Sequence, residues 1–325
     1  MIGPEEEAIC SNCLDFEPID EEHEPIFDLE SLAKPIHPAI GVFNDTAYVG
    51  VWLPTKAKDK EGNEYVKEEF FLITSNREYI LATKSNLKEL GLKFSFEPFK
   101  SETRWSLKDI QDWLNGSTVN PLDVYNNILA AWRYYIEFED ERAYHYWTLW
   151  TVGTYFMHLF NAYPYIYFGG LKRVGKTKAL TLLYCLAFNA VFSMNLSTSA
   201  LFRLIQATRA TILIDESEKL SNPERAQDFR AMLLSGYKKG ALVYRVEKNS
   251  RDQLKPLSFD VYGPKALANI SGLEDVLEDR VHSFILRRGL GPQVDREIDI
   301  SSPSWVEVRN RLYRLYLQYW RPVKA

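Results

Sequence analysis

The sequence predicts an α/β protein in which a parallel sheet with flanking helices is built around a phosphate-binding loop. A small β-rich domain and a helical segment come before it. Three observations predict this. Residues 170–177 read GLKRVGKT, a complete G-x-x-x-x-G-K-[ST] string. Residues 211–216 read TILIDE, a run of β-formers ending in two carboxylates. From residue 163 to about 290, strand-like and helix-like patterns alternate, the sequence form of a parallel sheet.

The phosphate loop comes first because its residues answer the demands of a polyphosphate. Gly170 and Gly175 let backbone N–H groups close on phosphate oxygens. Lys176 reaches toward the β- and γ-phosphates, and the Thr177 hydroxyl suits a magnesium ion. With glycine near ~7% of residues, such a string arises by chance in roughly one chain in a hundred of this length. The context tightens the reading. Residues 164–168 (PYIYF) form an apolar, aromatic strand before it, and residues 178–187 form a helix after it. A strand, a glycine loop and a helix together aim a helix N-terminus at the ligand.

Residues 190–195 predict a second strand and 199–206 a helix, which leads to the third strand at 211–215. Asp215 and Glu216 then emerge at its C-terminal edge, where ligands bind in open α/β sheets. Asp215 suits the metal and Glu216 suits an attacking water. Residues 262–269 predict a further short strand ending at Asn269, and 281–286 a last strand with Arg280 at its entry. One helix, over residues 305–320, follows.

The 325 residues are 46% hydrophobic and 26% charged, enough apolar content for a sizeable core. A net charge of −5 excludes a global cationic field, so any nucleic-acid site must be a local patch. Three cysteines exclude a disulfide framework and suit a reducing, cytoplasmic compartment. Residues 143–171 carry no Asp, Glu, Lys or Arg, a span long enough to cross a bilayer. Its histidines, Asn161, Pro164 and tyrosines, and its direct run into the phosphate loop, favour a buried helix and first core strand instead. A membrane-attached protein is the reading this displaces.

Five segments are expected. Residues 1–35 form an acidic, proline-dotted tail. Within it, Cys10 and Cys13 stand at C-x-x-C spacing, half of a zinc site with no second half at regular spacing. Residues 36–118 form the β-rich accessory domain, with strands near 47–53, 69–74, 78–82 and 93–96. It closes with a helix capped by Ser106 and ended by Asn115 and Gly116. Residues 119–162 are helical, over 121–138 and 141–160, with aromatics at spacings of three and four. Residues 163–300 hold the sheet, and 301–325 the last helix.

The order of the phosphate loop, Asp215–Glu216, Asn269 and Asp279–Arg280 resembles the AAA+ ATPases. Within them, residues 164–177 and 263–268 (GPKALA) are similar to helicase-like ATPases of phages, archaeal viruses and plasmids, related to the superfamily-3 and minichromosome-maintenance helicases. The resemblance covers roughly residues 120–290. It implies ATP and Mg²⁺ as cofactors, a ring that is a hexamer, and replication of a mobile element. It implies that Asn269 senses the γ-phosphate and that Arg280 reaches a neighbouring subunit's ATP, with a local ion pair as the other reading of Arg280. A lid arginine would come from Arg309 or Arg311.

It further implies a hairpin that grips nucleic acid, and residues 238–255 fit. They hold six Lys/Arg against two acids, a local +4. Arg245, Lys248, Arg251 and Lys255 are the candidate contacts to single-stranded or forked DNA, with a solvated surface hairpin as the plainer reading. The function expected is an ATP-driven motor that translocates on and unwinds nucleic acid. The alternative is a loader or regulator that remodels a protein partner without unwinding.

Overall fold

The computed structural model describes residues 32–100, 104–193, 197–215, 223–248, 254–268, 277 and 279–324. At the N-terminal side, β1 (Lys34–Ile36) pairs in parallel with β6 (Leu92–Phe94). Between them β2 (Ile40–Phe43), β3 (Thr46–Lys58), β4 (Glu64–Thr74) and β5 (Tyr79–Leu81) form an antiparallel sheet in chain order. The β2–β3 link is two residues, Asn44 and Asp45, at φ 42° and 57°. Both conformations match the twist of a tight hairpin, and Asn and Asp tolerate them. Helix α1 (Lys84–Glu89) leads back to β6.

Three capped helices follow, each opened by a side chain that accepts an otherwise orphaned N–H. Ser106 caps α2 (Leu107–Leu114), Asn120 caps α3 (Pro121–Tyr135) and Asp140 caps α4 (Glu141–Gly153). The last two are shorter than their aromatic spacing predicts. In α4 the Tyr163 hydroxyl donates to Trp150 O at 2.7 Å and lies against Gly153. Trp150 O also accepts from Thr154 N at 3.2 Å, so the tyrosine shares the last carbonyl of the ladder, and the chain then turns through a 3₁₀ turn, Met157–Leu159. The uncharged run is thereby divided between α4, this turn and the first core strand. No helix among the described residues is long and apolar enough to cross a membrane.

The central sheet starts with β7 (Tyr165–Gly169), α5 (Lys176–Leu186), β8 (Val191–Phe192), α6 (Thr198–Thr208) and β9 (Ile212–Asp215). Helix α7 (Pro223–Ser235) then precedes the antiparallel hairpin β10 (Leu242–Lys248) and β11 (Leu254–Asp260). β12 (Lys265–Ala268), β13 (Val281–Ile285) and α8 (Pro303–Lys324) complete the chain. The order across the sheet is β13-β7-β12-β9-β8, every pair parallel. β12 therefore lies between the strand before the phosphate loop and the strand ending in Asp215.

Both faces of this sheet are buried, and period-2 alternation sorts the side chains. Ile166, Phe168, Leu213, Ala266 and Ala268 join one core with α3, α4, α5 and α8. Tyr165, Tyr167, Ile212, Ile214 and Leu267 join a second with α6, α7 and the hairpin. The first core also takes in Val49 and Ile73 of the N-terminal sheet and Trp105, Ile110 and Trp113. Helix α8 fastens these parts together: its Tyr316 hydroxyl donates to Gly41 O at 2.8 Å, and Asn310 bonds Ser106. Strand β1 and helices α1 and α7 carry too few periodic residues to be read from sequence.

Lys265 at the start of β12 is fully buried. Its Nζ donates to Val261 O at 2.8 Å and Gly263 O at 3.1 Å, and it lies 4.9 Å from the Tyr165 ring centre. Burial, only partly offset by Asp260, pulls its pKa down to about 7. A neutral amine has two N–H donors, and both are used. The unfolded chain keeps this lysine protonated to near its ordinary value, so it binds more protons than the folded chain between about pH 7 and 10. Stability should therefore rise with pH above 7, by on the order of 2 kcal/mol by pH 9. Urea unfolding at pH 7 and 9 checks this, and Lys265→Met should flatten the rise.

Candidate functional site

Strand β7 delivers the phosphate loop, and two glycines shape it. Gly170 has φ 132°, and a Cβ there would meet Leu286 O at 2.4 Å. Gly175 has φ 94° and caps α5 in a left-handed conformation, with nothing within 4 Å of a Cβ placed on it. A side chain at the first is excluded by space and conformation together, at the second by conformation alone. The loop N–H groups and the first turn of α5 then face one concavity. Lys176, almost buried, folds its ammonium over this loop and donates to Gly170 O and Leu171 O, each at 2.7 Å.

Across the concavity stands Asp215. Thr177 Oγ1 donates to Asp215 Oδ2 at 2.8 Å, joining residues 38 apart in sequence. The register explains the meeting. Ala268 of β12 lies level with Phe168 on one side and Asp215 on the other. The C-terminal ends of β7, β12 and β9 therefore align, and the loop, Thr177 and Asp215 share one edge. A hydroxyl beside a carboxylate under a cationic loop is a donor set that fits a hard, oxygen-seeking divalent cation.

Glu216, Asn269, Arg251 and the Cys10–Cys13 pair lie outside the described residues, and Lys248 ends β10. Arg280 enters β13 at the opposite end of the sheet. Its carbonyl accepts from Tyr165 N at 2.9 Å, and β13 then runs level with β7 from Tyr165 to Gly169. Five residues of strand, roughly 16 Å at ~3.3 Å each, separate it from its own loop.

Arg309 and Arg311 are corrected by the structure. Arg309 Nη1 donates to Cys185 O at 2.7 Å, at the C-terminal end of α5. The phosphate loop lies at the other end of that helix, roughly 16 Å away at ~1.5 Å per residue. Arg311 pairs with Glu307 one turn along α8. Neither approaches the loop: α8 brings Arg309 to the C-terminal end of α5, and the loop sits at the N-terminal end.

What does approach the loop was not legible in the sequence. β13 runs on beside β7, and Leu286 N donates to Gly169 O at 2.9 Å at the mouth of the loop. Residues 287–289, Gln293 and Val294 then border a cleft of about 120 Å³ beside the loop, with Ile136, Glu137, Val174 and Lys178 also lining it. The Glu137 carboxylate accepts from Leu290 N and Gly291 N at 3.1 and 2.8 Å. Lys178 Nζ donates to Gln293 O and Val294 O at 2.8 and 3.0 Å. Arg288 lines the same cleft.

The hairpin redistributes its candidates. In β10, alternation turns Arg245 inward, where it pairs with Asp228 of α7 and lies 5.4 Å over the Phe202 ring. Arg245 is thus engaged as an anchor of the hairpin on α6 and α7. Lys255 is exposed. The outward face instead carries Tyr244 (68% exposed), Val246 (64%) and Leu254 (70%), apolar residues that a search for cations passes over. The alternation itself was the available signal.

No protein-family model matches the chain, and no curated protein matches its sequence. Among solved structures, it is similar to the apo A form of the C-terminal region of NrS-1. The identity is 13% and the TM-score 0.37, over 77% of this chain and 64% of that one. A second apo A-form structure of the region gives 13% and 0.35, over 81% and 65%. The chain thus spans just under two thirds of each.

The two loop glycines should differ in cost. Gly175→Ala should lose about 1–2 kcal/mol for its left-handed backbone. Gly170→Ala should lose more, because its methyl also meets a backbone carbonyl. Urea denaturation midpoints of the two variants check the order, which a larger loss at Gly175 would contradict.

Proposed function

We propose that this chain is a magnesium-dependent ATPase of the AAA+ type that works as a ring-forming motor on single-stranded or forked DNA. The observation that carries the reading is the Thr177–Asp215 contact beneath the phosphate loop, with β12 inserted between their two strands. The loop amides and Lys176 would hold the β- and γ-phosphates. Thr177 and Asp215 would hold Mg²⁺, which supplies charge neutralisation at the phosphates. The cleft lined by Ile136, Val174, residues 287–289, Gln293 and Val294 adjoins the loop and would receive the nucleoside.

Glu216 would orient the attacking water, and Asn269 would sense the γ-phosphate. The distance of Arg280 from its own loop supports service to a neighbouring subunit, and the ring would be a hexamer. The hairpin would meet the nucleic acid, with Lys248, Arg251 and Lys255 toward phosphates and Tyr244 stacked on a base. Its apolar outer face also suits a polypeptide, which keeps a protein-remodelling ATPase as the second reading.

The pocket is tested by turnover. Lys176→Ala should abolish ATP hydrolysis, while Glu216→Gln should bind nucleotide but turn over at least a hundredfold more slowly. Undiminished hydrolysis by Lys176→Ala would overturn the ATPase reading. Arg280→Ala mixed with Lys176→Ala should recover activity that neither has alone, because some interfaces then join an intact pocket to an intact arginine. Co-assembled rings that stay silent would return Arg280 to a local ion pair.

The hairpin test separates motor from remodeller. Single-stranded DNA should stimulate hydrolysis. Tyr244→Ala should weaken binding about tenfold with the salt dependence unchanged, as a lost stacking contact does. Lys255→Ala should instead lower the log–log salt slope by about 0.7. Hydrolysis indifferent to DNA, with both variants binding as wild type, would make the protein-remodelling reading the better one.

A further inference from the structure

We propose that the cavity between the C-terminal end of α5 and helices α6 and α8 is a second ligand site, taking an organic anion with an apolar body. It is independent of the nucleotide reading. The cavity has a volume of about 470 Å³. Its polar lining is distinctive in what it offers. Arg104, Arg309 and Ser106 present donors, and no aspartate or glutamate borders it among the described residues.

The two guanidiniums are fixed by backbone rather than by carboxylates. Arg104 donates to Tyr184 O at 2.5 Å and Ala187 O at 3.2 Å, and lies over the Tyr184 ring. Arg309 donates to Cys185 O at 2.7 Å and to Arg104 O at 3.4 Å. Each guanidinium has five N–H donors, so each retains several beyond these bonds. The Ser106 oxygen already accepts from Asp109 N and Asn310 Nδ2, which leaves its own O–H to donate. Nearby acids are committed elsewhere. Asp109 holds Arg314 and the Trp105 ring nitrogen, and Asp299 holds Ser301.

Charge balance points the same way. A helix C-terminus carries about half a negative charge, which two guanidiniums overcompensate. Burial, and then the neighbouring Arg104, press Arg309 below its usual range, a cost that a bound anion relieves. Asn189 and Thr208 also line it, the amide donating to Thr208 O and the hydroxyl to Leu204 O, and much of the remaining wall is apolar, with Val191, Leu204, Ile300 and Val306. Such a lining, apolar with a few convergent donors, selects a ligand with one charged head and a hydrophobic body. The Cys185 thiol, pushed up to about 11 by burial, stays neutral and adds to the apolar side.

The probe is 8-anilinonaphthalene-1-sulfonate on the full chain, compared with uncharged N-phenyl-1-naphthylamine. One equivalent of the sulfonate should bind saturably, at least tenfold more tightly than the neutral amine, and should remain bound under saturating magnesium nucleotide. Arg104→Met and Arg309→Met should each weaken it about tenfold, the worth of one charge-assisted hydrogen bond. Ile300→Trp, at the exposed rim, should close the mouth and weaken binding with no change in melting temperature. That variant and the neutral amine still decide the matter if an arginine variant fails to fold. Equal binding of the two probes, displacement by nucleotide, unsaturable uptake, or wild-type affinity in Ile300→Trp would overturn the site.

Discussion

Burial of β7 on both faces is the constraint on which the remaining structure depends. The loop can present its amides only if the strand before it is immobile, and an open strand is not. Each of its side chains is therefore assigned to a core. Phe168 stacks on Trp147 with ring centres 4.2 Å apart and planes 11° apart. On the other face the Tyr165 hydroxyl reaches Leu233 O at 3.0 Å. Burying each such ring is worth roughly 1.5–3 kcal/mol, so the strand is held by several times the energy of any bond in the loop. The aromatic wall of α3 and α4 is the consequence. It covers a face that the α/β units alone would leave open on the β7 side.

The parts of the site that lie on regular elements were legible in the sequence. Two periodicities and one glycine string locate β7, α5 and β9, and the register then brings Thr177 to Asp215 without further information. What could not be read depends on long-range packing. Glu137 takes the amides of Leu290 and Gly291 across 153 and 154 residues, in segments with no period of their own. Arg309 shows the converse. Its position in the final helix suggested the nucleotide, yet the packing of α8 against α5 sends it to the wrong end of that helix. Arg245 and Tyr244 differ by one position, and one position in a strand is the difference between a buried anchor and an exposed surface.

Polar fastenings join the N-terminal sheet to the central one. His37 Nε2 lies 2.7 Å from Gln206 O, and the Tyr48 hydroxyl donates to His37 O at 2.6 Å. Burial and the nearby Arg209 hold the His37 imidazole down to about 3, so it serves as a neutral hydrogen-bonding hinge pin at ordinary pH. Arg209 itself is tied to Asp260 at 2.8 Å, at the foot of the hairpin. The segment between α6 and β9, the hairpin base and the N-terminal sheet thus meet in one polar cluster below the parallel sheet.

The clasp made by α8 also sets how late the N-terminal elements can be covered. Tyr316 and Gly41 are 275 residues apart, and Asn310 and Ser106 are 204 apart. During synthesis the N-terminal strands and α2 emerge long before the helix that covers them. Until it arrives, the ring of Trp105 lacks the stacked face of Tyr313, 5.1 Å away in the finished protein. Contacts of such separation close late and slowly, and they leave apolar surface waiting in the meantime. Synthesis order thus sets a delay between making these aromatic surfaces and covering them, and the delay lasts until α8 has emerged.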